Sequence, residues 1–105
     1  MIAFRPRRAA GFEIEMGDGT KVAADNLNFV VLGSGRGKVG VAIYVEGTKP
    51  VSQQTKSAVF LLLDAVLGEY DVETRVGEID IKPGPAPAGA RPFRELPKVV
   101  DEAPK

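Results

Sequence analysis

The chain has 105 residues, of which 44% are hydrophobic and 27% charged, and its formal net charge is zero. This is the length of a single domain and a composition typical of a folded globular protein, which argues against a mostly disordered chain. The absence of cysteine and histidine excludes disulfides, thiolate catalysis, zinc sites built on these ligands, and Ser–His or Cys–His nucleophile pairs.

The N-terminal segment does not have the pattern of a signal peptide. Gly11, Glu13 and Glu15 stand where such a peptide requires an apolar stretch. The longest purely apolar run covers only residues 58–63, whereas a membrane-spanning helix needs about 20 apolar residues. We therefore expect a cytoplasmic protein that does not enter the membrane.

Three strands are predicted in the first part of the chain. Residues 12–16 alternate apolar and charged side chains, which is typical of a strand with one buried face. Residues 17–20 predict a tight turn, because Asp-Gly readily supplies the positive φ that such turns need. The apolar run 27–32 predicts a central strand, and the alternating segment 39–45 predicts a third strand that pairs with it as a hairpin.

Residues 50–67 predict one helix. Thr48 is expected to cap it, with Pro50 in the first turn and Gly68 as the residue that ends it. The apolar residues expected on its buried stripe, at helical spacing, are Val59, Phe60, Leu63, Val66 and Leu67. Leu61 lies off this stripe and has no assigned burial within a monomer.

The last predicted strand covers residues 70–81. Its apolar positions change parity after Gly77, so we expect a β-bulge or bend there, or a strand that crosses between two packing environments. Six of the eight prolines follow Lys82, and residues 83–89 should be extended. We expect residues 91–100 to be ordered and packed against this domain or a symmetry mate, with Phe93 and Leu96 covering the sheet face that the helix leaves open.

The order of elements is strand, strand, strand, helix, strand. It predicts an α+β fold with a mostly antiparallel four-stranded sheet and one helix on a face. Residues 1–82 form this domain, and residues 83–105 form a proline-rich tail.

The glycine-rich segment 33–38, Gly-Ser-Gly-Arg-Gly-Lys, partly matches phosphate-binding loops. Its spacing differs from that of a P-loop, and a strand follows it where a nucleotide-binding motif needs a helix N-terminus. We interpret it as a hairpin turn that exposes Arg36 and Lys38. The alternative is a weak anion site formed by the turn amides and these two side chains.

Three further arginines, Arg5, Arg7 and Arg8, extend the candidate anion-binding set. With the two hairpin cations they would form a basic patch that contacts phosphates. The zero net charge and the lack of interleaved aromatic residues argue against a dedicated nucleic-acid-binding protein. A solvated N-terminus is the simpler interpretation.

Two carboxylate pairs are spaced two residues apart in the last predicted strand, Asp71 with Glu73 and Glu78 with Asp80. Such pairs can act as acid and base, with Tyr70 nearby, or hold Mg²⁺. A solvated sheet face has the same pattern. We therefore expect no catalytic residue, metal site or cofactor, and a small carboxylate enzyme is the least favoured hypothesis.

The favoured hypothesis is an interaction module that self-associates, as a homodimer, or binds a protein partner. A zero net charge gives little repulsion between copies, and one helix cannot cover both faces of a four-stranded sheet. The candidate interaction residues are Leu61, Phe93, Leu96 and Val99.

Residues 60–77, Phe-Leu-Leu-Leu-Asp-Ala-Val-Leu-Gly-Glu-Tyr-Asp-Val-Glu-Thr-Arg-Val-Gly, resemble a segment of short proteobacterial proteins in the domain-of-unknown-function family numbered 695 (DUF695). The resemblance covers about 25 residues, which include this segment. It implies a bacterial cytoplasmic origin, and it implies no activity and no site residues.

Overall fold

A computed structural model describes residues 3–7, 11–47 and 50–102. The strands are β1 (Ala3–Arg7), β2 (Gly11–Glu15), β3 (Lys21–Ala23), β4 (Leu27–Gly35), β5 (Lys38–Val45), β6 (Val76–Pro83) and β7 (Arg91–Pro92). The helices are α1 (Gln53–Glu69) and α2 (Leu96–Glu102), and short 3₁₀ turns cover Ala24–Asn26, Glu73–Arg75 and Phe93–Glu95. None of these helices is long and apolar enough to span a membrane.

The strands form two sheets. β1, β2 and β3 form an antiparallel three-stranded sheet, whereas the four-stranded sheet has the order β6-β5-β4-β7. The first predicted strand corresponds to β2 and therefore lies outside the four-stranded sheet, where β7 takes the fourth place. The prediction of an α+β fold with a four-stranded sheet and a helix is confirmed, but the predicted order of elements is only partly right.

The four-stranded sheet is mixed. β4 pairs antiparallel with both β5 and β7, whereas β5 and β6 are parallel. The expectation of a mostly antiparallel sheet with one helix is corrected here, because α1 is a crossover connection and returns the chain to the end of the sheet from which β5 began.

The turn between β2 and β3 has the predicted geometry. The Thr20 backbone N–H donates to Asp18 Oδ1 at 2.9 Å, and Gly19 has φ of +93°. This hydrogen bond, together with one from the Thr20 side chain, lowers the pKa of the Asp18 carboxyl below its ordinary value.

Helix α1 begins three residues later than predicted. Its N-cap is Ser52, whose hydroxyl accepts a hydrogen bond from the Thr55 backbone N–H at 3.1 Å. Thr48, the predicted cap, lies outside the described residues. Gly68 does not end the helix, which continues through Glu69.

The buried stripe of α1 differs from the predicted one. The residues that α1 buries are Thr55, Ala58, Val59, Leu62, Leu63, Val66 and Leu67. This stripe is centred on Val59, Leu62 and Val66, so Phe60 lies beside it and is 45% exposed. Leu61 is half-buried and packs against the core.

Strand β6 is shorter than the predicted strand 70–81. Residues 70–75 form a turn and a 3₁₀ segment instead, in which Asp71 has φ of +58° and Val72 is buried. The expected irregularity at Gly77 is confirmed. Val76 pairs with Val39 and Ile79 with Val41, so β6 carries one extra residue at this point.

The proline-rich tail packs into the core of the domain. Phe93, Leu96 and Val100 are fully buried, and they belong to the same cluster as the buried stripe of α1. The 3₁₀ turn at Phe93–Glu95 contacts β4, and α2 contacts α1. The expectation that residues 91–100 are ordered and bury Phe93 and Leu96 is confirmed. The expected location is wrong, because the tail closes the core on the helix side of the sheet and not on the opposite face.

Candidate functional site

A hairpin turn is confirmed within the glycine-rich segment, but it is shorter than predicted, because Gly33–Gly35 belong to β4 and Lys38 begins β5. Gly35 pairs with Lys38, so Arg36 and Gly37 form a two-residue turn, with φ of +55° and +77°. These values fit the turn that best matches the twist of paired strands. Arg36 and Lys38 are exposed at its tip, and no helix follows.

The candidate anion-binding residues are divided between the two sheets. Arg5 and Arg7 belong to β1 in the three-stranded sheet, whereas Arg36 and Lys38 lie at the tip of the β4–β5 hairpin in the other sheet. Arg8 lies outside the described residues. No strand pairing that the structure describes joins the two groups.

The candidate interaction residues lie in or against the core. Phe93 and Leu96 are fully buried, and Leu61 and Val99 are half-buried and pack on the core cluster. Their apolar surface therefore stabilises the domain itself.

Of the two predicted carboxylate pairs, only Glu78 with Asp80 lies on a strand. Asp71 lies in the turn after α1 and Glu73 in the 3₁₀ segment, while Glu78 and Asp80 are exposed on β6. Because residues 70–75 are not extended, Asp71 and Glu73 do not share a strand face. Within the described residues, no group of three or more acidic side chains is placed to hold a metal ion.

Strand β4 has an edge that is only partly covered. β7 pairs with Asn28 and Phe29 alone. Because Pro92 has no N–H, the pair that exchanges hydrogen bonds is Phe29 with Arg91. Alternate residues of a strand direct their backbone groups to the same side, so the N–H and C=O of Val31 also point away from β5. No described strand pairs with β4 there.

The uncovered part of β4 is apolar. All residues from Val31 to Gly35 are exposed, and Val31 and Leu32 expose 45% and 52% of their surface. The pairing with β5 shifts between Val31 and Gly33, so Leu32 is the extra residue of a bulge. We call residues 31–35 the free edge.

The opposite edge of the sheet, β6, is protected against pairing. Glu78, Asp80 and Lys82 place charges along it, Pro83 ends it, and its bulge lies near Gly77. Charges, prolines and bulges are the usual means by which proteins prevent edge-to-edge pairing. The free edge has a bulge but neither a charge nor a proline.

Sequence reasoning did not identify the free edge. The apolar run 27–32 predicts a buried central strand, yet its last two residues are exposed. The Gly-Ser-Gly segment at 33–35 is the feature of the sequence that indicates this exposed edge, because its residues continue the strand but are too small to contribute to a core.

Comparison of the chain with protein family models, curated proteins and solved structures finds no match. The resemblance of residues 60–77 to a domain of unknown function therefore stays a prediction.

Proposed function

We propose that this chain is an interaction module that self-associates, and that two copies pair antiparallel through their free edges. The observation that carries the proposal is the contrast between the two edges of one sheet. β6 is charged and ends in proline, whereas the free edge exposes Val31 and Leu32 beside backbone groups with which no described strand pairs. An exposed apolar edge is a template for strand addition.

The sequence of the free edge is self-complementary in shape. A two-fold axis between Leu32 and Gly33 places Val31 of one copy opposite Ser34 of the other, and Leu32 opposite Gly33, so that the outward-facing backbone groups of Val31 and Ser34 meet. Each apolar side chain then lies beside a small residue, which leaves room for it. β7 limits the pairing on one side and the hairpin turn limits it on the other.

The zero net charge of the chain supports a second copy as the partner, because two copies do not repel each other strongly. A contact of about five residues per strand is smaller than a standard interface of about 1,600 Å². We therefore expect a reversible dimer that forms in the micromolar range.

Sedimentation equilibrium over a range of micromolar concentrations tests the proposal. The wild-type chain, with a monomer mass of 11.2 kDa, should approach twice that mass as concentration rises. The double variant Val31→Lys/Leu32→Lys should stay monomeric, because lysine blocks an edge without disturbing a buried side chain. Circular dichroism verifies that the variant is folded.

Phe60→Lys is the matched control, since Phe60 has the same exposed fraction as Val31 but lies on α1. It should dimerise like the wild type. A wild-type chain that remains monomeric at several hundred micromolar would refute the proposal. Loss of the dimer in Phe60→Lys, with retention in the lysine double variant, would place the interface on α1 instead.

A further inference from the structure

A surface cavity of about 460 Å³ lies between the end of α1 and the C-terminal helix. Its lining residues are Tyr70, Arg94, Glu95, Pro97, Lys98 and Asp101. Tyr70 follows the last residue of α1, and the others come from α2 and the 3₁₀ turn that precedes it. No residue of the free edge lines this cavity.

Both carboxylates of the cavity are paired with arginines that do not line it. Glu95 Oε1 accepts a hydrogen bond from Arg91 Nε at 2.9 Å and forms an ion pair with Arg91 Nη2 at 2.8 Å. Asp101 lies 3.7 Å from Arg75 Nη1, which also donates to the Asp101 backbone carbonyl at 3.0 Å. The negative charges are therefore balanced before any ligand enters.

The two cations of the cavity are not balanced in this way. Arg94 and Lys98 are exposed and four residues apart, so they project from the same side of the chain. Neither forms an ion pair with any residue that the structure describes. Two positive charges thus face the cavity without a compensating carboxylate.

Tyr70 supplies a flat surface next to these charges. It exposes 61% of its surface. The buried Pro97 supplies a further apolar wall. An exposed aromatic ring beside two cations matches a ligand that combines a planar ring with an anionic group.

We propose that this cavity binds a small anion that carries a planar ring, such as a mononucleotide or an aromatic carboxylate. The anionic group lies between Arg94 and Lys98, and the ring stacks on Tyr70. The volume is within the range of small-molecule sites, which is about 300–1,000 Å³. This site is independent of the self-association proposed above, because it uses none of the residues 31–35.

Titration of the full-length ¹⁵N-labelled chain, followed by amide NMR shifts, tests this proposal. The probes are adenosine monophosphate, indole-3-acetate, adenosine and inorganic phosphate. The two ring-bearing anions should shift the amides of Tyr70 and of residues 94–98 in a saturable manner. Adenosine and phosphate alone should bind at least tenfold more weakly, and comparison of the first two probes shows whether phosphate or carboxylate is preferred.

The variant Arg94→Gln/Lys98→Gln should weaken binding at least tenfold, and Tyr70→Ala should weaken it severalfold. Arg36→Gln/Lys38→Gln is the matched control, because it removes the same charge from an exposed pair at the hairpin tip and should leave binding unchanged. Equal weakening by the control would show general electrostatic attraction and overturn the site. Absence of shifts with 10 mM of either ring-bearing anion would also overturn it, as would phosphate binding as tightly as adenosine monophosphate.

Discussion

Phe93 anchors the tail to the domain, and its truncation to alanine should destabilise the protein strongly. The ring is 0% exposed and belongs to the core cluster, and the 3₁₀ turn that carries it contacts both β4 and the turn at Ala24–Asn26. Removal of a fully buried phenylalanine costs about 3–5 kcal/mol, since the transfer free energy of the ring is lost and a cavity remains. In a domain of this size each kcal/mol lowers the melting temperature by about 4–8 °C. We therefore expect a decrease of at least about 12 °C.

Differential scanning calorimetry and urea denaturation measure the effect of Phe93→Ala. Phe93→Leu retains most of the apolar volume, so it should lower the free energy of unfolding by less than half as much. This variant keeps the prediction testable if the alanine variant does not fold. Arg94→Ala changes the adjacent exposed residue and should alter the free energy of unfolding by less than about 0.5 kcal/mol. A melting temperature of Phe93→Ala within about 3 °C of wild type would refute the assigned burial, because this is less than the loss of 1 kcal/mol produces.

Three further changes test the local structure. Gly84→Ala should cost about 1–3 kcal/mol in urea denaturation, because a Cβ there would lie 3.0 Å from the Glu46 Cα. Ser52→Ala should cost about 1 kcal/mol, because the hydroxyl that caps α1 is removed. The Asp18 carboxyl should titrate by NMR below its ordinary pKa of 3.8, because the Thr20 backbone N–H stabilises the charged form. The hydrogen bond to the charged Asp18 carboxyl therefore adds to the free energy of unfolding above the ordinary pKa. This contribution is lost as the pH falls through the lowered pKa.

Each of these changes has a control. Gly33→Ala should be nearly neutral, because nothing lies within 4 Å of a Cβ at that position. Ser57→Ala, inside α1, should be neutral or slightly stabilising, since alanine is the better helix former. Asp18→Asn should remove the pH-dependent contribution of this turn. If the two glycine variants lose equal free energy of unfolding, the steric explanation for Gly84 is wrong. If the two serine variants lose equal free energy of unfolding, the capping explanation for Ser52 is wrong. An Asp18 pKa at or above 3.8 would contradict the explanation by the Thr20 hydrogen bond.

The features that depend on only a few consecutive residues could be predicted from the sequence. The turn at Asp18 follows from the positive φ that Asp-Gly readily supplies, and the hairpin near Arg36 follows from the short glycine-rich spacer between two strands. The bulge near Gly77 follows from a change of parity within one strand. Helix α1 follows from its apolar spacing. Its exact start was misplaced because Ser52 and Thr48 are both good N-cap residues, and the choice depends on where the chain leaves β5.

The candidate sites could be predicted only in part. Arg36 and Lys38 were expected at an exposed tip, where they are found. Tyr70 was assigned to a strand because it begins an alternating pattern, and this hid its position beside α2. Arg94 and Lys98 could not be predicted as a pair from the sequence, since they share one side only because this part of the tail is helical.

The sequence by itself determined the segments that form β2, β4, β5 and most of α1, and the tight turns between strands. The tertiary structure decided how these segments combine: the separation of β2 from the four-stranded sheet, the parallel pairing of β5 with β6, and the place of the tail in the core. The physical reason is that an alternating pattern specifies a buried face but not the neighbouring strand. Which strand becomes the neighbour depends on how all the apolar surfaces of the chain are covered together. The exposure of Val31 and Leu32 depends on this as well.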